Sequence, residues 1–166
     1  MNDLESEIAA LAVHLVKKAE TRRLVLVTAE SCTGGMAAAA ITRVPGASNV
    51  FDRGFITYSN EAKVDLLGVS VESLETHGAV SETVAREMAI GALSASRGNV
   101  AVSITGIAGP GGSDHKPAGL VHFGLAAGTD TLLSRVREFG DVGRDEVRQA
   151  AVKEALEMLL LGVDRS

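Results

Sequence analysis

Ser31 stands two residues past an apolar and β-branched run, Leu24-Val25-Leu26-Val27-Thr28-Ala29, and precedes Gly34-Gly35 and an alanine-rich stretch from Met36 to Arg43. A hydroxyl between a strand and a helix stands at the carboxyl edge where open α/β sheets bind ligands. There it suits a nucleophile. The helix that follows offers unpaired N–H groups and a partial positive charge, so Thr33, Gly34 and Gly35 could present amides to an oxyanion or a phosphate. Serine is also a leading N-cap, and position alone leaves both readings open.

A serine nucleophile needs a base. His14, His77, His115 and His122 are scattered over a helix, a helix end, a polar loop and a strand, and no acid signal matches any of them as a catalytic partner. A Ser-His-Asp set stays open, because folding rather than spacing gathers its members. Lys17, Lys18 and Lys153 fall on polar helix faces, which leaves Lys63 and Lys116 beside loops of the ligand-binding type. To accept a proton near neutrality a lysine must fall from about 10.4 to roughly 7–8, a cost of about 4 kcal/mol in the charged form. A helix N-terminus and burial both push that way, and Lys63 is expected in a first helical turn behind Asn60. Lys116, in a polar loop next to Pro117, would stay charged. The base is therefore assigned to Lys63 and an anion contact to Lys116.

Thr105-Gly106-Ile107-Ala108-Gly109-Pro110-Gly111-Gly112-Ser113 contains neither a P-loop nor a dinucleotide fingerprint. Its amides could still form an anion-binding nest, helped by Ser113 and Lys116, or the segment is a wide structural turn. Cys32 is a rival nucleophile, since a thiol at a helix N-terminus can have a lowered pKa. A small buried residue is its plainer reading.

The elements that must position these groups follow from periodicity. Leu4, Ile8, Leu11 and Leu15 mark a first amphipathic helix capped by Asp3. Leu24 to Ala29 reads as a central strand covered on both faces, and Phe55 to Tyr58 as a second strand. A helix carrying Lys63 runs up to Gly68, and Ser81 caps another that Gly98 stops before the strand Val100 to Ile104. Leu120 to Ala126 and Leu132 to Phe139 form an antiparallel hairpin around Gly128-Thr129-Asp130. A last helix with Val147, Ala151, Ala155 and Leu159 inward, and Arg148 and Lys153 on its polar side, stops at Gly162. The expected fold is a three-layer α/β/α sandwich with a mixed, mainly parallel sheet and an antiparallel hairpin, in one domain over residues 1–166.

The 166 residues are 46% hydrophobic and 22% charged, the balance of one globular domain with its own core. A formal net charge of −5 and an aromatic content of 3% oppose nucleic-acid binding, which needs a basic groove and stacking platforms. No apolar run approaches a membrane span, no signal peptide is expected, and the single cysteine fits a reducing compartment, so a cytoplasmic protein is expected. Alanine-rich helices and an exposed sheet edge lead us to expect a symmetric homodimer.

Five blocks in order carry a resemblance. They are Thr28-Ala29-Glu30-Ser31-Cys32-Thr33-Gly34-Gly35, Thr57-Tyr58-Ser59-Asn60-Glu61-Ala62-Lys63, Gly78-Ala79-Val80-Ser81, Ser103 to Gly112, and Lys116-Pro117-Ala118-Gly119. Together they resemble the C-terminal domain of the competence/damage-inducible CinA proteins over nearly the whole chain, with Ala118 where valine is expected. The resemblance implies an amidohydrolase that converts nicotinamide mononucleotide and water to nicotinic acid mononucleotide and ammonia in pyridine nucleotide salvage. It implies a Ser/Lys pair and neither metal nor cofactor. Carried over, Ser31 is the nucleophile, Lys63 the base, and Tyr58 a residue that orients the lysine or the substrate. Thr105, Gly106 and Ser113 are further candidates for ligand contact. A non-catalytic nucleotide-binding module of the same fold is the alternative function, and a cysteine hydrolase using Cys32 a third.

Overall fold

The computed structural model describes residues 1–113 and 115–166. In chain order the elements are α1 (Asp3–Arg22), β1 (Leu26–Glu30), α2 (Met36–Thr42), β2 (Phe51–Ile56), α3 (Asn60–Leu67), α4 (Val71–His77), α5 (Glu82–Ser94), β3 (Val100–Gly106), β4 (Leu120–Ala127), β5 (Thr131–Glu138) and α6 (Arg144–Arg165). The five strands form one sheet in the order β2-β1-β3-β4-β5. β1 pairs in parallel with β2 and β3, whereas β3 with β4 and β4 with β5 are antiparallel. Four strands therefore point one way and β4 runs against them, the mixed sheet that the strand and hairpin pattern predicts.

Alternation along the interior strands explains the layers. Leu26, Val100, Val102 and Ile104 face a core shared with Leu15, Ile41, Leu156 and Leu159, which belong to α1, α2 and α6. Val27, Ala29 and Ala101 point the other way, onto Leu67, Val84 and Met88 from the α3 to α5 side. Side chains two apart share a face, so these continuous apolar strands need helices on both. Each fully buried leucine, valine or isoleucine contributes roughly 1.5–3 kcal/mol relative to exposure.

Several ends differ from the sequence expectation. The cap of α1 is Asn2, whose side chain accepts from the Glu5 amide at 2.8 Å in a reciprocal capping box with Glu5. The cap of α3 is Ser59, one residue before the expected Asn60. α6 does not stop at Gly162 but runs to Arg165. Gly162 is where the helix touches the sheet, since a Cβ there would come within 2.5 Å of Val100 Cγ1. Glycine marks close approach here, not a terminus.

The topology leaves a crevice at one edge. From the carboxyl end of β1 the chain turns to α2 on one face, and from the neighbouring end of β2 it turns to α3 on the other, a topological switch point. The pairing extends beyond the strands, with the Ser31 amide donating to Ile104 O at 2.9 Å and the Thr57 amide to Glu30 O at 2.8 Å.

Candidate active site

The turn after β1 is shaped by Glu30. Its carboxylate is fully buried and accepts from the Ala37 amide at 2.8 Å, the Ala38 amide at 3.0 Å and the Thr33 hydroxyl at 2.8 Å. The residue at the cap position of α2 is Gly35, at φ 101°, which has no side chain to cap with. Glu30 supplies that function from the strand end, satisfying donors that the first turn of a helix leaves orphaned. Ser31 is thus released from capping and stands on the turn itself.

Lys63 is 1% exposed on the inner face of α3, and its Nζ lies 3.0 Å from Ser31 Oγ and 2.8 Å from Thr57 O. Burial pushes the Lys63 amine below its ordinary value, and only negative charge on the neighbouring Cys32 sulfur would act in the opposite direction. A desolvated lysine whose charged form is disfavoured is a base in waiting. Cys32 is affected the other way: burial pushes its thiol up to about 11, although Arg148 draws it down. The raised value withdraws the support that a helix N-terminus would lend to a cysteine nucleophile, and the direct Lys63 contact is with the Ser31 hydroxyl.

Ser31, Cys32 and Lys63 open onto a cavity of about 470 Å³. Its walls include Tyr58 and Asn60 at the entry to α3, Gly78 to Val80 between α4 and α5, Thr105 to Ser113 at and beyond the end of β3, and Arg144 at the start of α6. Thr105, Gly106, Ser113 and Tyr58, all expected at the site, line it. Tyr58 is largely exposed, and its hydroxyl accepts from Arg144 Nη2 at 2.9 Å.

Two expectations are corrected. Thr33, Gly34 and Gly35 do not line the cavity: the Gly34 amide donates to Ser31 O at 3.1 Å, and Glu30 occupies the amides of the first turn of α2. α2 begins five residues later than a helix starting at Ser31 would, so its N-terminus points at Glu30. Lys116 does not line the cavity either. Its Nζ donates to His77 O at 2.8 Å and Val80 O at 2.6 Å, two backbone carbonyls rather than an open anion site. Among the described residues, none of the four histidines lines the cavity. His122 sits opposite Thr105 in the β3–β4 ladder, its pKa lowered by burial and by the Lys116 charge.

Three site residues escaped the sequence reading: Glu30, Arg144 and Arg148. Arg144 Nη1 donates to Gly109 O at 2.7 Å while its Nη2 holds Tyr58, and Arg148 Nε donates to Cys32 O at 3.1 Å. The first turns of α6 thereby fasten three loops of the site. Four residues apart, the two arginines share a helix face, a spacing visible in the sequence. Glu30 was visible too, as a carboxylate closing an otherwise apolar strand.

Fold and site together define an α/β/α protein with a serine–lysine pair at a switch point. Residues 8–162 match the CinA C-terminal domain, and the chain belongs to that family. The nicotinamide-nucleotide amidohydrolase PncC of Escherichia coli K12 is 49% identical over 156 residues, covering 93% of this chain and 94% of the relative. A competence-damage inducible protein of Caldicellulosiruptor saccharolyticus is 56% identical over 132 residues, but there the match spans only 32% of the longer relative. The crystal structure of competence/damage inducible protein CihA from Agrobacterium tumefaciens superposes with a TM-score of 0.91 at 50% identity, covering 95% of this chain and 96% of the other. Among the described residues, no helix is long and apolar enough to cross a membrane.

Proposed function

We propose that this protein is an amidohydrolase that deamidates nicotinamide mononucleotide to nicotinic acid mononucleotide and ammonia, using Ser31 and Lys63 within a single domain over residues 1–166. The observation that carries the chemistry is the buried contact between Lys63 Nζ and Ser31 Oγ. The substrate follows from the relative named as a nicotinamide-nucleotide amidohydrolase, which matches along nearly its entire length. The free, buried Cys32 suits a reducing compartment such as the cytoplasm, and the named relative supports a small pyridine nucleotide as substrate, in salvage.

In the neutral amine one N–H serves Thr57 O, and the lone pair is free for the Ser31 hydroxyl proton. Lys63 takes that proton as Ser31 Oγ bonds to the carboxamide carbon, giving a tetrahedral oxyanion. The Lys63 ammonium then returns a proton to the amide nitrogen, the C–N bond breaks, and ammonia leaves an ester on Ser31. Water attacks that ester with Lys63 again as base, releasing the acid and restoring the serine hydroxyl. Tyr58, held by Arg144, forms the outer wall against which the substrate is oriented. Thr105, Gly106 and Ser113 line the same cavity and are the further residues proposed to contact the substrate.

Ammonia release from nicotinamide mononucleotide, measured with chelator present, tests the reading. The parent and Cys32→Ala turn over, and folded Ser31→Ala and Lys63→Ala do not. A folded but inactive parent overturns the substrate assignment and leaves a nucleotide-binding module.

A further inference from the structure

Lys63 Nζ is tetrahedral, with Cε in one direction and hydrogen-bonding capacity in three. One direction serves Thr57 O at 2.8 Å and a second faces Ser31 Oγ at 3.0 Å. Among the described residues the third finds no partner. It carries an N–H in the amine and in the ammonium alike. When the proton leaves Ser31 Oγ for the Nζ lone pair, and the Oγ electron pair bonds to the carboxamide carbon, that N–H comes to belong to a buried cation. A hydrogen bond from a charged donor is roughly twice as strong as one from a neutral donor, so the need for an acceptor grows with the charge.

Thr57 has the complementary deficit. Its side chain is fully buried, and among the described residues its Oγ1 is the buried side-chain polar atom that finds no hydrogen-bond partner. Buried hydroxyls are ordinarily paired, because an unpaired one has lost its water without replacement. Register places this hydroxyl beside the dyad. The Thr57 amide donates to Glu30 O, and the pairing that sets Ile56 against Glu30 sets Thr57 against Ser31. Ile56 and Tyr58 are exposed while Thr57 between them is buried, so Thr57 shares the inward face of Phe55, which packs with Ala29 and Leu67. α3 brings Lys63 to this same face. The titratable group that bears on Lys63 from the β1–α2 turn is the Cys32 thiol, pushed up by burial to about 11. The cavity's other cation, Arg144, is held by Tyr58 and Gly109 O.

We propose that Thr57 is a positioning residue whose hydroxyl accepts the third N–H of the Lys63 ammonium, stabilising the protonated base between its two proton transfers. Rotation of Thr57 among its staggered wells closes the contact as charge develops on Nζ. The hydroxyl is therefore kept at a cost in stability and returned as a gain in rate. That Lys63 cycles between amine and ammonium in turnover rests on the function proposed above; the hydrogen bond to the ammonium does not.

Thr57→Val replaces the hydroxyl by a methyl group at nearly constant volume, and Thr57→Ser keeps the hydroxyl. Lys63 is titrated by NMR in protein carrying carbon-13 at lysine Cε, with its resonance assigned through Lys63→Met. A hydrogen bond to the charged form raises a lysine value, so the Lys63 midpoint falls by about one pH unit in Thr57→Val and returns in Thr57→Ser. In turnover of nicotinamide mononucleotide, Thr57→Val lowers the plateau kcat about tenfold, keeps KM within about twofold, and carries the rising limb of the pH profile downward with the midpoint. Its melting temperature stays at or above that of the parent, because an unpaired buried hydroxyl is gone. Thr57→Ala takes the place of Thr57→Val should the latter fail to fold. An unchanged Lys63 midpoint in the folded variant, or a loss of kcat that Thr57→Ser shares in full, overturns the proposal. The titration needs no substrate, so a lowered midpoint in a protein inactive on the nucleotide supports the contact and overturns only the function.

Discussion

Lys63 Nζ reaches to 3.0 Å from Ser31 Oγ across 32 residues of sequence, the serine from the turn after β1 and the lysine from the helix after the neighbouring strand. The contact exists because the two chain crossings leave the sheet on opposite faces and converge at its edge. Cys32 shares the same turn, but burial pushes its thiol up to about 11. Ser31→Ala is therefore expected to lower kcat by about a thousandfold or more, the scale of a lost nucleophile, while Cys32→Ala stays within a few-fold of the parent. Steady-state ammonia release with melting curves for both variants decides it. The reverse order would make the thiol the nucleophile.

The lowered Lys63 pKa has a direction in pH for both activity and stability. The neutral amine is the working base, so kcat/KM rises with pH through the folded value of Lys63 and then levels. In the unfolded chain the amine titrates near its ordinary value of 10.5. Between the folded and unfolded values the unfolded chain binds more protons, so stability increases with pH across that window. Below the folded value both states are protonated, and the cost of the buried charge is felt in full. Relative to Lys63→Met, the parent should gain melting temperature as the buffer is raised from neutrality toward the ordinary lysine value of 10.5. A constant difference would mean that Lys63 is not desolvated.

Much of this arrangement is written in local pattern, and the rest in contacts that no local pattern reveals. The apolar run before Ser31 declares an interior strand because side chains on both faces need cover. Ser81 and Gly68 mark helix ends through capping chemistry that acts within a turn. Gly162 misleads because a stop and a close helix–sheet approach favour the same residue, and only the position of Val100 separates them. Lys116 misleads for a similar reason. A lysine beside a glycine-rich loop is equally suited to an anion or to carbonyls, and the carbonyls of His77 and Val80 lie 39 and 36 residues away. Arg144 meets Tyr58 across 86 residues, a pairing set by topology alone.

Glu30 is a carboxylate whose partners are all neutral donors, from Thr28 on its own strand and from the turn and helix it organises. Glu30→Ala removes the cap of α2 and leaves buried amides and the Thr33 hydroxyl without an acceptor. Each unsatisfied buried group costs about 1–3 kcal/mol, so a loss of about 3 kcal/mol or more is expected in urea unfolding. Glu30→Gln keeps one acceptor oxygen and should lose less. Equal stability of Glu30→Ala and the parent would show that the cap is dispensable.

Arg144 and Tyr58 act as one unit, and their coupling separates a positioning role from simple contact. The guanidinium holds the Tyr58 hydroxyl on one side and Gly109 O on the other, joining two cavity walls through the first residue of α6. Tyr58→Phe removes one of those tethers and leaves the ring, whereas Arg144→Ala releases both loops. A misplacement of about 1 Å in a positioning group can cost about a hundredfold in rate, so Arg144→Ala is expected to approach that loss in kcat/KM and Tyr58→Phe to lose less. The double variant should be little worse than Arg144→Ala alone, because the hydroxyl has no function once its partner is gone. Additive losses would mean that the tyrosine contacts the substrate independently of the arginine. The cycle is read from kcat/KM with nicotinamide mononucleotide, beside melting curves that show all three variants folded.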